Sequence, residues 1–199
     1  MPRLIGRGHR VSALVRPGRE GALPTACRVV TGNALDAASF RDRLRGADTL
    51  VHLVGVAHPS PAKAAAFTAV DLASLQAAVA AARHAGVAHF VYVSVAQPAP
   101  AMQAYVAARA AAEALLRESG LAATVLRPWY VLGRGHRWPL ALLPFYWLAE
   151  SLPATREAAR RLGLVTLDQM QATLVAAVEN PATTFRIAEV PAIRRGMAA

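Results

Sequence analysis

The sequence predicts an α/β fold with a doubly wound, mainly parallel sheet. Along its 199 residues, short apolar runs of strand character alternate with longer stretches of helical character. The runs at 49–56 and 89–95 are apolar almost throughout, which is typical of strands covered on both faces. Gly86 and Gly120 follow helical stretches, where glycine commonly ends a helix. This alternation favours right-handed crossovers between parallel strands.

The other elements follow the same rhythm as far as residue 128. Strands are predicted at 9–15, 27–31, 123–126 and 184–190, and helices at 38–44, 62–85, 102–119, 139–152 and 166–179. Thr166 is expected to cap the last helix, and 129–138 is expected to be a loop containing glycine. We therefore divide the chain into a core, 1–128, and a small C-terminal lobe, 129–199.

Composition excludes several classes of protein. The formal net charge is +10, but the arginines are scattered and Lys63 is the only lysine, a bias typical of GC-rich bacteria. Without a recognisable nucleic-acid-binding motif, we predict no nucleic-acid partner. The longest apolar stretch noted, 139–149, is shorter than the ~20 residues that span a bilayer, so no membrane span is predicted. The single cysteine, Cys27, is expected to be a buried thiol, and a cytoplasmic location is expected.

Several short motifs follow one another in a fixed order, at 7–11, 14–18, 32–36, 51–55, 90–94, 105–109 and 126–128. Their order and spacing resemble the short-chain dehydrogenase/reductase superfamily. The resemblance is closest to its atypical and extended branches, which contain epimerase/dehydratase-like proteins and an accessory subunit of respiratory complex I. It covers nearly the whole chain and implies a Rossmann-like fold that binds NADP or NAD.

In the resembled family, a strand and a glycine-rich turn precede the segment equivalent to 7–11, and the turn binds the cofactor pyrophosphate. The present chain begins Met1-Pro2-Arg3-Leu4-Ile5. We therefore expect a Rossmann-like sheet that lacks its first strand, and an intact gene that encodes roughly 20–30 further residues. The chain as given is expected to bind cofactor weakly or not at all.

The resemblance implies contacts with the adenosine half of the cofactor at two strand ends. Arg16 would pair with a 2′-phosphate, which favours NADP over NAD. The alternative is an exposed, solvated arginine beside a turn. Asn33 can donate to and accept from an adenine edge. Asp36 is expected to be a helix N-cap rather than a ligand.

The resemblance places further cofactor contacts at Leu53, Val54 and Gly55, which end the strand at 49–56. Glycine there would allow close approach of the backbone to the cofactor. Pro128, where the C-terminal lobe opens, completes the predicted cofactor set. His52 is expected to be a core histidine rather than a ligand.

The catalytic pattern of the family is a Ser or Thr followed by Tyr-x-x-x-Lys, in which tyrosine exchanges a proton with the substrate and lysine lowers its pKa. Here Tyr105 and Arg109 are four residues apart, on one face of a helix. Arg109 keeps the positive charge of the family's lysine, and Ser94 is positioned to polarise a carbonyl. Val95 stands where related epimerases often carry their serine. The alternative is that Tyr105 is an ordinary residue of an amphipathic helix.

Aromatic residues after Pro128 predict a small, partly apolar substrate. Trp129, Tyr130, His136 and Trp138 would lie near the nicotinamide end, although the two tryptophans could instead anchor the lobe to the sheet. The six histidines show no metal-binding spacing, so no metal is predicted. A homodimer through the helices at 62–85 and 102–119 is possible in this family.

Two functional hypotheses follow. One is an NAD(P)-dependent oxidoreductase or epimerase-like enzyme, with Tyr105 as acid/base, Arg109 as cation and Ser94 as polariser. The other is a non-catalytic NAD(P)-binding protein that senses redox state or stabilises a complex. Arg109 in place of lysine and Val95 in place of serine favour the second hypothesis, whereas the placement of Tyr105 and Ser94 favours the first.

Overall fold

The structure is a computed structural model that describes residues 1–133 and 138–196, without the side chains of Ala22 and Trp138. The strands found there are β1 (Ser12–Val15), β2 (Arg28–Thr31), β3 (Thr49–His52), β4 (His89–Val93), β5 (Ala123–Arg127), β6 (Tyr130–Leu132), β7 (Leu164–Thr166) and β8 (Phe185–Glu189). The α-helices are α1 (Pro2–Ile5), α2 (Ala64–Ala66), α3 (Ala73–Ala85), α4 (Gln103–Glu118), α5 (Leu143–Ser151), α6 (Arg156–Arg161), α7 (Leu167–Glu179) and α8 (Val190–Arg194).

The central sheet has the order β3-β4-β5-β8, and all of its strands are parallel. Val51 of β3 is in register with Val91 of β4, as expected if the two apolar runs lie side by side. The last strand of the C-terminal lobe, β8, pairs with β5 and so joins the core sheet. The parallel α/β sheet predicted from the sequence is confirmed.

Helices cover both faces of this sheet, because successive residues of a strand point to opposite faces. On one face, Phe90 and Tyr92 of β4 pack with buried residues of α3 and α4. On the other face, Val91 packs with α7 and α8, including Met170 and Ile193. The fold is therefore doubly wound, with a separate apolar core on each side of the sheet.

The strands β1 and β2 form a separate, two-stranded parallel sheet. Val30 of β2 and Phe40 pack on Ala81 of α3, which fixes this small sheet to the same helix layer. Within the described residues, β1 pairs only with β2, and β3 pairs only with β4, so each of them has one unpaired edge. The sequence predicted a sheet without its first strand, and the sheet is observed in two parts.

The helical stretch predicted at 62–85 is confirmed, with one irregularity. It starts as a 3₁₀ turn and α2, passes through a π-helical segment, Phe67–Leu72, and continues as α3. Gly86 ends it in the left-handed conformation, φ +70°. By length and mean hydropathy alone, Pro61–Ala85 suffices to cross a bilayer, but 39% of its most apolar window is buried inside the protein.

Several predicted elements differ from the observed ones. The segment 38–44 forms two short 3₁₀ turns, Ala37–Ser39 and Arg41–Leu44, rather than an α-helix, and Asp36 caps the first turn as predicted. The strand predicted at 49–56 ends at His52. The loop predicted at 129–138 contains β6, which pairs with β7. The predicted residue His136 lies outside the described residues.

Candidate functional site

The carboxyl ends of β3, β4 and β5 lie at one edge of the central sheet, because these neighbouring strands are parallel. That edge carries Leu53–Gly55 after β3, Ser94 after β4 and Pro128 after β5. Leu53 is 62% exposed, so its side chain is open to solvent at this edge. Pro128 is buried, and its carbonyl oxygen accepts the N–H of Ala96 at 2.9 Å.

Arg16 and Asn33 follow the paired strands β1 and β2, so both lie at the carboxyl end of the smaller sheet. Arg16 is exposed and forms no ion pair within the described part of the chain. The side-chain oxygen of Asn33 accepts the N–H of Leu35 at 3.1 Å, which orients the amide in a turn. The predicted adenosine contacts therefore lie on a different sheet from Leu53–Gly55.

Tyr105 and Arg109 face each other on α4, as their spacing predicted. The guanidinium carbon of Arg109 lies 5.1 Å from the centroid of the Tyr105 ring, and Phe67 packs edge-on to that ring. The pKa of Tyr105 is raised from its ordinary value, chiefly by burial; Arg109 opposes the increase and the negative charge of Asp71 adds to it. Tyr105 therefore carries its proton at neutral pH.

Arg109 is held from three directions within the core. Its Nη2 lies 2.5 Å from Oδ1 of Asp71, and its Nη1 donates to the carbonyl oxygen of Val93 at 2.8 Å and to the hydroxyl of Tyr92 at 3.3 Å. The side chains of Arg109 and Asp71 are only 7% and 0% exposed. The charge of Arg109 is thus compensated inside the protein.

Gly55 is the point where the loop after β3 meets this ion pair. A Cβ at this position would overlap the guanidinium of Arg109 and approach Oδ1 of Asp71 within 3.0 Å. The next residue, Val56, donates its N–H to Oδ2 of Asp71 at 3.0 Å. Close approach of this backbone to a cofactor remains a prediction, and on the side where a Cβ would stand the neighbour of Gly55 is the guanidinium of Arg109.

Ser94 belongs to a second buried network. Its hydroxyl donates to Oε1 of Glu113 at 2.5 Å, and the side chain of Gln97 donates to the same oxygen at 2.7 Å. Arg127 pairs with Glu113 at 2.5 Å and with Glu189 at 3.0 Å. Ser94 lies one residue beyond the Val93 carbonyl that binds Arg109, so the two networks meet at the end of β4.

His52 is a core histidine, as the sequence analysis favoured. Its ring lies among the aromatic rings of Phe90 and Tyr92, and its Nε2 is 3.4 Å from the hydroxyl of Ser74. Burial, with the nearby charge of Arg109, lowers its pKa to about 3. Within residues 1–133 and 138–196, no cluster of three His, Cys, Asp or Glu residues is arranged to hold a metal ion.

Sequence reasoning missed two residues that organise the site, Asp71 and Glu113. Asp71 is the only acidic residue between 49 and 112, and it interrupts an alanine-rich apolar helix. A lone acid on a buried face needs a partner, so this pattern was an available signal. Glu113 follows Arg109 by four residues and lies on the same helix face, which was a second signal.

Two cavities adjoin α6 in the C-terminal lobe. One, of about 460 Å³, is lined mainly by charged and polar residues, among them Gln97, Arg156, Arg160, Arg161 and Glu189. The other, of about 310 Å³, is an apolar groove lined by Leu142, Phe145, Tyr146, Ala149, Thr155, Ala158, Ala159 and Leu162. Leu162 also packs in one apolar cluster with Tyr105 and Trp129. All three side chains pack against the buried residues Val95, Ala99 and Val106.

A family model described as NAD(P)H-binding matches residues 1–135. The chain belongs to this family of NAD(P)H-binding proteins. The match covers the strands β1 to β6 and thus all of the predicted cofactor residues. No curated protein matches the chain.

Solved structures with a similar fold include epimerases and dehydratases. A nucleoside-diphosphate-sugar epimerase from Staphylococcus aureus is 20% identical, with a TM-score of 0.63 over 94% of this chain and 65% of that one. The enzyme WbmH from Bordetella bronchiseptica, solved with NAD⁺, is 22% identical, with a TM-score of 0.67 over 94% and 69% of the two chains.

A third similar structure is DesIV from Streptomyces venezuelae, a dTDP-glucose 4,6-dehydratase solved with NAD bound. It is 19% identical, with a TM-score of 0.65 over 94% of this chain and 70% of that one. At these identities the likeness concerns the fold. The chain spans about two thirds of the length of these proteins.

Proposed function

We propose that this chain forms the cofactor-binding part of an NAD(P)-dependent oxidoreductase or epimerase-like enzyme, in which Tyr105 is the general acid/base. The observation that carries the proposal is the pairing of Tyr105 with the Arg109 guanidinium, 5.1 Å from its ring, beside the carboxyl end of β4. A tyrosine next to a fixed cation at that edge is suited to exchange a proton with a bound substrate.

The residues available to hold the dinucleotide are Arg16, Asn33, Leu53–Gly55 and Pro128. Exposure of Arg16 leaves its guanidinium free for a phosphate, which favours NADP over NAD. Exposed Leu53 offers apolar contact to a ring, and Asn33 offers an amide to a base. When bound, the nicotinamide supplies or takes up a hydride.

In this proposal, the protein's own side chains supply the proton that the substrate oxygen takes up. Protonated Tyr105 donates to the substrate oxygen, and Arg109 stabilises the phenolate that remains, since its charge lies over the ring. Ser94 polarises the same oxygen in this scheme, which requires its hydroxyl to turn away from Glu113. Because its pKa is raised, Tyr105 is protonated at neutral pH, which is the state required of the proton donor in the reduction of a carbonyl.

The proposed substrate is small and partly apolar. In this proposal the apolar walls are the groove lined by Leu162 and the rings of Trp129 and Tyr130, whose centroids are 5.5 Å apart. Leu162 and Trp129 pack against the same buried cluster as Tyr105. The arginine-lined cavity on the other side of α6 provides polar groups. In this proposal, 1–128 is the dinucleotide-binding core and 129–199 is the substrate lobe, in a cytoplasmic protein that is able to form a homodimer.

A second candidate function is non-catalytic NAD(P) binding, as a redox sensor or a complex-stabilising subunit. Two contacts favour it: Arg109 is neutralised by Asp71, and Ser94 is engaged by Glu113. In this alternative both side chains maintain the fold beside the dinucleotide, and Tyr105 packs against Phe67 without exchanging a proton.

Turnover distinguishes the two candidates. NADPH and NADH oxidation is followed at 340 nm with a panel of small aldehydes and ketones, for the wild type and Tyr105→Phe. Glu118→Gln, an exposed change on the same helix, is the control. The enzyme proposal predicts turnover that Tyr105→Phe reduces at least about 100-fold, the usual scale for loss of a general acid, and that Glu118→Gln preserves. Turnover unchanged in Tyr105→Phe would overturn it, and binding without turnover supports the second candidate.

A further inference from the structure

Asp71 lies in the π-helical segment between α2 and α3 and is completely buried. We propose that Asp71 is a positioning residue that fixes the Arg109 guanidinium between the Tyr105 ring and the loop of Gly55 and Val56. The proposal rests on the function proposed above, since it concerns the same tyrosine. π-helical insertions often mark functional sites because they turn one side chain out of the regular helical pattern.

Each oxygen of Asp71 has a separate contact. Oδ1 meets the Arg109 guanidinium at 2.5 Å, and Oδ2 accepts the Val56 N–H at 3.0 Å. One carboxylate therefore joins the loop after β3 to α4. Without it, the long arginine side chain would have several rotamers available. With it, the guanidinium lies over the Tyr105 ring and against Gly55, where no Cβ obstructs it.

The groups that face Tyr105 are few. The π-helical segment contributes Asp71 and the apolar ring of Phe67; α4 contributes Arg109; and β4 contributes Tyr92 behind Arg109. Glu113 acts on Tyr92 and on the Ser94 network. Asp71 raises and Arg109 lowers the pKa of Tyr105, although burial has the largest effect. Loss of Arg109 should therefore raise the pKa of Tyr105, whereas loss of Asp71 removes one raising charge and also releases the arginine that lowers the pKa.

The test is an NMR titration of the free protein labelled at tyrosine Cζ. The chain has four tyrosines, and Tyr105→Phe assigns the relevant signal. We expect Arg109→Gln to raise the pKa of Tyr105 by about one unit, the scale typical of one nearby charge. In the Asp71→Asn background the same substitution should have a much smaller effect, because the guanidinium is no longer held over the ring. The titration is limited to the pH range in which circular dichroism shows folded protein.

The matched control is Glu113→Gln, which removes the other buried carboxylate and should leave the pKa of Tyr105 within about 0.2 units, since that charge acts on Tyr92. The conservative variant Asp71→Glu keeps the charge, so Arg109→Gln should raise the pKa of Tyr105 in that background as in the wild type. If Asp71→Asn does not fold, Asp71→Ser takes its place in the comparison.

Loosening of the core alone would lower the pKa of Tyr105 in every variant, because each would lose the effect of burial. An effect of Arg109→Gln that is as large in the Asp71→Asn background as in the wild type, or one that Glu113→Gln diminishes as much as Asp71→Asn does, would overturn the positioning role. The titration requires neither turnover nor cofactor. A diminished effect of Arg109→Gln in the Asp71→Asn background, found in a protein without turnover, would thus retain the positioning role and remove only the catalytic proposal.

Discussion

Arg109 and Asp71 form a buried ion pair, with Nη2 and Oδ1 2.5 Å apart, at the point where α4, the π-helical segment and the end of β4 meet. The planar fork of an arginine reaches Asp71, Tyr92 and Val93 together, which a single ammonium group reaches less readily. Arg109 stands in the place of the family's lysine, and its charge is paired with the carboxylate of Asp71 inside the core.

Loss of one partner of this pair should be strongly destabilising. We expect Asp71→Ala to lower the free energy of unfolding by about 3–5 kcal/mol, because it leaves a buried guanidinium without its counter-ion. Urea denaturation followed by circular dichroism measures the change. Arg45→Ala is the control, since its pair with Asp42 is exposed and its loss should cost less than about 1 kcal/mol. Equal effects of the two variants would contradict the account.

Substitution of Gly55 tests the close approach of the loop to Arg109. Gly55→Ala should lower the free energy of unfolding by about 1–3 kcal/mol, because the new methyl group displaces the guanidinium from Asp71. Gly21→Ala is the matched control, as a Cβ there meets nothing within 4 Å and its φ is not positive. If Gly55→Ala proves as stable as Gly21→Ala, the guanidinium does not occupy that space.

Two buried histidines should make stability depend on pH. Burial, with a nearby arginine in each case, lowers the pKa of His52 to about 3 and of His89 to about 4. The unfolded chain, with histidine pKa values of about 6.5, takes up protons first as the pH falls. Their contribution to stability is therefore complete above about pH 6.5 and declines towards pH 3.

Between pH 7 and 5.5, the free energy of unfolding should fall by about 2 kcal/mol from these two histidines together. Urea midpoints across this range measure the effect, and His52→Gln should reduce the slope. His58→Asn, at an exposed position, should not change it. A pH-independent midpoint over this range would show that both histidines titrate normally in the folded protein.

The N-terminus of α7 carries a capping box. The hydroxyl of Thr166 accepts the N–H of Gln169 at 3.1 Å, and the Gln169 side chain accepts the N–H of Thr166 at 2.8 Å. Thr166→Ala should lower the free energy of unfolding by about 1 kcal/mol. Thr183→Ala, at an exposed position outside helices and strands, is the control. Indistinguishable midpoints would mean that the cap adds nothing measurable.

Much of the fold was predictable because apolar periodicity specifies buried elements. The runs that became β4 and β5, the helix ending at Gly86 and the cap at Thr166 were all predicted from residue pattern. The 38–44 segment was predicted as a helix from Phe40 and Leu44, but a stretch of this length is too short to offset the cost of helix nucleation and forms 3₁₀ turns. The strand at 49–56 ends at His52, where its pairing with β4 ends.

The site was less predictable, because its side chains have tertiary partners far along the chain. Spacing placed Tyr105 and Arg109 on one helix face, which the structure confirms. It did not show that Asp71, 38 residues earlier, neutralises Arg109, or that Glu113 binds Ser94. Short elements such as α6 and β7 were missed because their sequences carry little periodicity and form through contacts in the lobe.

The central proposal is that a nicotinamide dinucleotide binds at the carboxyl ends of β1 to β5, with Arg16 at its adenosine end. The most direct test is a fluorescence titration with NADPH and with NADH for the wild type, Arg16→Ser and Arg19→Ser, an exposed arginine three residues further on. We predict weak, saturable binding of both, tighter for NADPH, with that preference reduced about tenfold in Arg16→Ser and kept in Arg19→Ser. Absence of saturable binding in the wild type, or an equal effect of the two substitutions, would contradict the account.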